Sequence, residues 1–274
     1  EGELSLEVLD AGGRLVRRMS SVARAPYTAP DHPDWDPDST QKPELKVEPG
    51  LNRATWDLRL DPPRRLAGAR FDTGDPGFGP LALPGEYSVR LTAGGHTVTQ
   101  PLRLELDPRS TAATTDLEAQ LAFALEQRDR MDRIADMVET IRGVRDQLKD
   151  RGTRLAADPG ASQVVELGRE LVTRLDAIER VIHNPDAEVD YDILAGRDGG
   201  TKLYSKFAWL YGGADDHDGP PTQGMREVAA ELAAELAAEE AKLDALLTED
   251  LGRLNALARE REVPFVVVPP FDSR

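Results

Sequence analysis

Between Thr114 and Arg151, Leu117, Leu121, Leu125, Ile134, Val138, Ile141, Val144 and Leu148 recur with a helical period. That spacing places them on one side of an α-helix. Thr115 or Asp116 can cap its start and Gly152 can end it. A helix of about 38 residues reaches ~57 Å at 1.5 Å per residue. An element of that length needs long partners, which predicts an elongated bundle and not a compact globule.

The partners are present in the pattern. A second helix is expected from about Ser162 to His183, with Val164, Leu167, Leu171, Leu175, Ile178 and Ile182 inward, stopped by Asn184-Pro185. A third is expected from about Gln223 to Arg261, carrying Val228, Leu232, Leu236, Leu243, Leu246, Leu247, Leu251, Leu254 and Leu257. Alanines at 229, 230, 233, 234, 237, 238 and 241 allow close helix approach. TKLYSKFAWLYG (201–212) reads as a short fourth helix, and VPFVVVPP (263–270) as an extended tail that packs back on the body.

Ahead of Asp107-Pro108-Arg109 the period changes from 3.6 to 2. ELSLEVLD (3–10), RLVRR (14–18), ELKVE (44–48), RATWDLRL (53–60), GEYSVRLTA (85–93) and HTVTQPLRLELD (96–107) read as strands. Gly94-Gly95 signals a hairpin, and Pro101 points to an edge strand or a bulge. Short alternating strands with Gly/Pro turns predict an antiparallel, immunoglobulin-like sandwich. Tyr87 fits the tyrosine corner of such folds, with its hydroxyl bonded to upstream backbone and Val89 in the core. The expected class is therefore multidomain α+β: an Ig-like sandwich over 1–109, an elongated antiparallel bundle of three long helices plus a short one over 110–262, and a tail over 263–274.

The formal net charge is −16, from 50 acidic and 34 basic residues. A chain so acidic lacks the positive footprint that nucleic acid or an anionic membrane demands. There are no cysteines, so disulfides, thiolate catalysis and cysteine-ligated metals are excluded. No apolar run approaches the ~20 residues needed to span a bilayer, so no membrane insertion is expected. The sequence opens on Glu1 and not on Met, which points to a fragment or processed product.

Each candidate site has a simpler reading beside it. Asp31, Asp34, Asp36 and Asp38 surround Trp35 and could wrap calcium, yet the EF-hand glycine and glutamate are missing, and a solvated loop is expected. His217 stands among Asp215, Asp216 and Asp218, without a second strong ligand nearby; a polar turn is expected and no metal. Tyr204, Phe207, Trp209 and Tyr211 would form a partner surface if exposed. Their spacing favours burial of Tyr204, Phe207 and Tyr211, leaving Trp209 open. Trp56, Asp57 and Arg59 look like a site, but a strand period sends Trp56 to the core and Asp57 with Arg59 to the other face, where a surface cross-strand ion pair is expected. Nucleophile-elbow, P-loop, dinucleotide and zinc-protease motifs are absent from the sequence, so no enzyme and no cofactor is expected.

GLNRATWDLRL (50–60), GPLALPGEYSVRLTAGGHTVTQPLRLELDPR (79–109) and DLEAQLAFALEQRDRMDRIADMVETIRGVRDQL (116–148), in that order, resemble the C-terminal region of bacterial sortilin-like and BNR-repeat β-propeller proteins. Those proteins are often labelled glycosyl hydrolases. The opening ELSLEVLDAGGRLVRRM also resembles, more weakly, the Ig-like module of flagellar hook-capping proteins. The first resemblance implies an extracytoplasmic protein in which this chain follows a propeller; it carries no catalytic residue onto these positions. The expected role is a non-catalytic accessory module that positions the propeller, binds another protein or forms a homo-oligomer. The alternative is a carbohydrate-binding accessory module, which needs a row of exposed aromatics where the sequence offers Trp35 and Phe78 in loops. A hydrolase with an unrecognised site would need a deep pocket with strongly perturbed acids.

Overall fold

The computed structural model describes residues 2–22, 44–64, 66, 77–185, 200–263, 266 and 268. It is a mixed α+β chain. The strands are β1 (Ser5–Asp10), β2 (Leu15–Ser20), β3 (Gly85–Ala93) and β4 (His96–Leu104). The helices are α1 (Thr114–Leu155), α2 (Ser162–Ile182), α3 (Leu203–Ala214), α4 (Gln223–Ala245) and α5 (Leu251–Glu260), with a π-helical turn at Leu246–Asp250. The chain forms two compact units. The first takes the described residues up to Asp129 together with Ala208–Arg226; the second takes the described residues of 130–207 and those from Glu227 onward. The units therefore do not divide at residue 110: Leu117, Gln120 and Leu121 of the first turns of α1 line a cavity with Leu104 and Leu106.

In the first unit the strands make one antiparallel sheet in the order β2-β1-β3-β4. Gly94 and Gly95 both have positive φ, 56° and 80°, which a two-residue hairpin loop requires and which matches the twist of its strands. β4 lies at the edge, where Pro101, opposite Ser88, leaves no central ladder without a donor. Val8, Leu9 and Met19 are buried. Beside β2, the Leu45 amide donates to Ser20 O, and Arg17 binds Glu44 at 2.5 Å and Asp61 at 2.8 Å.

Two expected strands are absent. ELKVE has no strand, although Leu45 is buried. RATWDLRL has only an isolated bridge between Arg59 and Leu81. Leu58 sits at φ 62°, in the left-handed region; that turn breaks the alternation and removes the strand. Val98, expected inward, is exposed. The Tyr87 hydroxyl does donate to Leu83 O at 2.6 Å, four residues upstream, while Val89 is half-buried.

In the second unit, apolar residues supply the interior: Met131, Ile134, Val138 and Ile141 of α1, Leu171 and Leu175 of α2, Leu236 and Leu243 of α4, and Leu254 of α5. Gly152 does not end α1, which continues to Leu155. Val228 is exposed and Ala229 is buried in its place. The third expected helix is interrupted by the π turn, whose extra residue brings Leu251 and Leu254 round to the buried side that Leu243 and Leu246 occupy. Of the tail, Val266 is buried and exchanges two backbone bonds with the Asn255 amide, both 2.8 Å.

The second unit also buries charge. The Glu179 carboxylate, with 1% of its side chain exposed, accepts from Arg142 Nε at 2.8 Å and from Arg145 Nη1 at 2.5 Å. Arg145 also reaches Asp176 at 3.0 Å. One turn on, His183 is buried at the end of α2, its amide bonded to Glu179 O. Burial, and secondarily the Arg142 guanidinium, push the His183 imidazole down to about 3.

Two outcomes follow from these contacts. A Cβ at Gly79 would lie 1.7 Å from Leu60 O, so Gly79→Ala is expected to destabilise the chain by about 3 kcal/mol or more in urea unfolding. Folded His183 stays neutral where the unfolded imidazole protonates. Its stabilising contribution is therefore full above pH ~6.5 and is lost as pH falls toward 3. The thermal midpoint should drop between pH 7 and pH 4, and less steeply in His183→Gln; equal slopes would show that His183 is not the group responsible.

Candidate functional site

A cavity of about 220 Å3 opens in the first unit. Three segments without helix or strand contribute: Leu58, then Leu81–Pro84, then Glu105–Asp107 after the end of β4. The first turns of α1 add Leu117, Gln120 and Leu121, and the turn after α3 adds Asp215 and Asp218. Most of this lining is aliphatic. Leu58, Leu81 and Leu106 are 41%, 40% and 37% exposed, so apolar surface reaches the mouth, unlike a sealed core void.

Arg59 holds the wall together. Its Nη1 donates to Gly79 O at 2.7 Å and to Asp215 Oδ2 at 2.5 Å, and its guanidinium lies 5.9 Å from the centre of the Phe78 ring. Its own carbonyl accepts from Trp56 Nε1 at 2.8 Å, and its amide donates to Asp57 Oδ1 at 3.1 Å. The Trp56 ring meets Tyr87 edge-on, with centroids 5.7 Å apart. Burial, with a smaller effect from Asp10, raises the Tyr87 phenol above its ordinary range. The expected cross-strand ion pair on the surface does not form, because no strand runs here and Arg59 pairs with Asp215. With Leu58 left-handed, Arg59 turns toward Asp215 while Asp57 stays exposed and caps its amide. Trp56 is half-buried instead of core.

The polar lining is dominated by acceptors. Gln120 is buried, and its Nε2 donates to Ala214 O and to His217 O, the latter at 2.7 Å. Two carbonyl acceptors fix which end of the amide is nitrogen, and Oε1 accepts no bond from the described residues. Asp218, at the exposed rim, accepts from Ser110 Oγ at 2.7 Å. Asp107 is bound by Arg109, which holds its carboxyl below the usual range.

Among the described residues no group of three or more His, Asp or Glu side chains is placed to hold a metal ion. Asp215 is engaged by Arg59, while His217 is exposed and contributes its backbone carbonyl. The Asp31–Asp38 loop with Trp35 lies outside the described residues. Tyr204, Phe207 and Tyr211 are buried, Tyr211 donating to Phe78 O at 2.6 Å, and Trp209 is 67% exposed. Of the four aromatics only Trp209 is thus available at the surface. Gln120 and the left-handed Leu58 escaped sequence reasoning: a glutamine on a helix flank and a leucine in an alternating run carry no signal of either role.

Among the described residues no helix is long and apolar enough to cross a membrane. Comparison with family models, with curated proteins and with solved structures returns no match.

Losing the guanidinium should leave Asp215 without its cation and Gly79 O without its donor. Arg59→Ala is expected to cost about 1–3 kcal/mol in urea unfolding, with Arg59→Lys recovering only part, because a lysine lacks the planar fork. A full rescue by lysine would show that charge alone matters.

Proposed function

We propose that this chain is a non-catalytic accessory module of a larger exported β-propeller protein, serving structure, protein interaction or assembly. The observation that supports it most is the convergence of the three stretches that resemble such proteins. Leu58 of the first, Leu81–Pro84 and Leu104–Asp107 of the second, and Leu117, Gln120 and Leu121 of the third line one cavity in one unit. Their polar groups are engaged with each other in ways that hold backbone segments: Arg59 on Gly79 O and Asp215, Gln120 on the carbonyls of 214 and 217. Catalytic groups need a free lone pair or proton aimed at a substrate; the Arg59 guanidinium and the Gln120 amide hydrogens are committed to holding the wall.

On this reading the first part of the chain is an Ig-like sandwich to which the four-stranded sheet belongs, and the Tyr87–Leu83 bond is its corner. The rest is an elongated bundle of three long helices plus the short α3. The partners are the N-terminal propeller of the same polypeptide or another protein, and the compartment is extracytoplasmic, following the resemblance.

Antibody raised against this chain should capture, from the source cells' exported fraction, a polypeptide much longer than 274 residues whose peptides include propeller repeats. A captured product of this length alone, in the cytoplasm, would refute the assignment. Light scattering tests assembly: if the chain alone is monomeric while the long protein is dimeric, the helices do not drive association.

A further inference from the structure

We propose that the cavity of the first unit is a binding site for a small amine with an apolar body, of the arylalkylammonium class. This goes beyond the accessory-module reading and does not depend on it.

Size and lining select the body of the ligand. An apolar cavity of about 150 Å3 accommodates benzene, so about 220 Å3 has room for an aromatic ring and a short alkyl chain. Leu58, Leu81, Leu83, Leu106, Leu117 and Leu121 supply the contact surface. Leu58 among them sits at φ 62°, a conformation that costs a leucine about 1 kcal/mol and that concentrates at ligand sites.

The charge and hydrogen-bonding character of the polar lining select the head group. Gln120, a lining residue, is 8% exposed; its amide nitrogen is locked by two carbonyls, and Oε1 accepts no bond from the described residues. Asp218 stands at the rim with a serine hydroxyl as its partner and no cation among the described residues. Glu105, Asp107 and Asp215 add negative charge, each with an arginine beside it: Arg103 at 3.5 Å, Arg109 and Arg59. Gln120 Oε1 and the Asp218 carboxylate are the acceptors left without a cation, and among the described residues no Lys or Arg side chain lines the cavity. A carboxylate or phosphate ligand would find repulsion there. A primary ammonium offers three N–H donors and one positive charge, which suits Gln120 Oε1 and Asp218 together.

The test is calorimetric and NMR titration of the intact chain with phenethylamine, phenethyl alcohol and 3-phenylpropionate. The amine should bind saturably with a Kd on the order of 1 mM, as suits a ligand of so few atoms. The alcohol should bind at least about fivefold more weakly and the acid not at all. Asp218→Asn, at an exposed rim position, should weaken the amine about three- to tenfold and leave the alcohol unchanged. Ala82→Phe, which fills the cavity, should abolish both, with circular dichroism confirming that each variant folds. Equal affinity for amine and alcohol, a stronger response to the acid, or amine binding that survives Ala82→Phe would each overturn the assignment, as would no saturable binding of the amine.

Discussion

The first unit depends on one guanidinium. Arg59 is three-quarters buried in a chain of net charge −16, and it ties its own segment to two others that have no regular backbone ladder to hold them, at Phe78–Gly79 and at Asp215. It binds Gly79 O, Asp215 and the face of Phe78. The fixed fork of an arginine lets one side chain satisfy a carbonyl and a carboxylate together, with its flat face against a ring. For Arg59 to reach them the preceding residue must turn, and Leu58 does so at positive φ. The Trp56 indole then closes the turn by donating to Arg59 O. Strain at Leu58 and the hydrogen bonds of Arg59 are two sides of one arrangement.

The second unit solves a related problem with Glu179. Its carboxylate is buried, and two arginines one turn apart on α1 arrive from the neighbouring helix to satisfy it. A stripe of leucines and alanines is nearly degenerate to sliding by a turn, whereas a buried carboxylate has one position in which both guanidiniums reach it. The π turn at Leu246–Asp250 adjusts the last helix in the same spirit: it adds a residue, keeps Leu251 and Leu254 inside, and presents Asp250 to Arg174.

Legibility in the sequence followed the range of the interactions. The β3–β4 hairpin was readable because its strands alternate and its turn is Gly-Gly, and both signals lie within one hairpin. The helix positions were readable for the same reason. Their details were not: Gly152 costs a helix interior only about 1 kcal/mol relative to alanine, and packing overrides it. Ala229 displaces Val228 from the interior because the register is set by neighbouring helices, not by hydrophobicity alone. RATWDLRL reads as a strand since its alternation is intact; what removes the strand is a left-handed leucine held by contacts to residues far along the chain.

The sequence by itself determined where the chain is helical, where it forms the hairpin, and that it is strongly acidic, because periodicity, turn chemistry and net charge are local or summed properties. The tertiary structure alone decided which acid meets Arg59 and that Gln120 lends both its amide hydrogens to the turn after α3. Those pairs lie 156, 94 and 97 residues apart, and in a chain with 50 acidic residues many acids could have served. The choice is made by where a packed backbone leaves a donor and an acceptor facing each other, and no period in the sequence encodes that meeting.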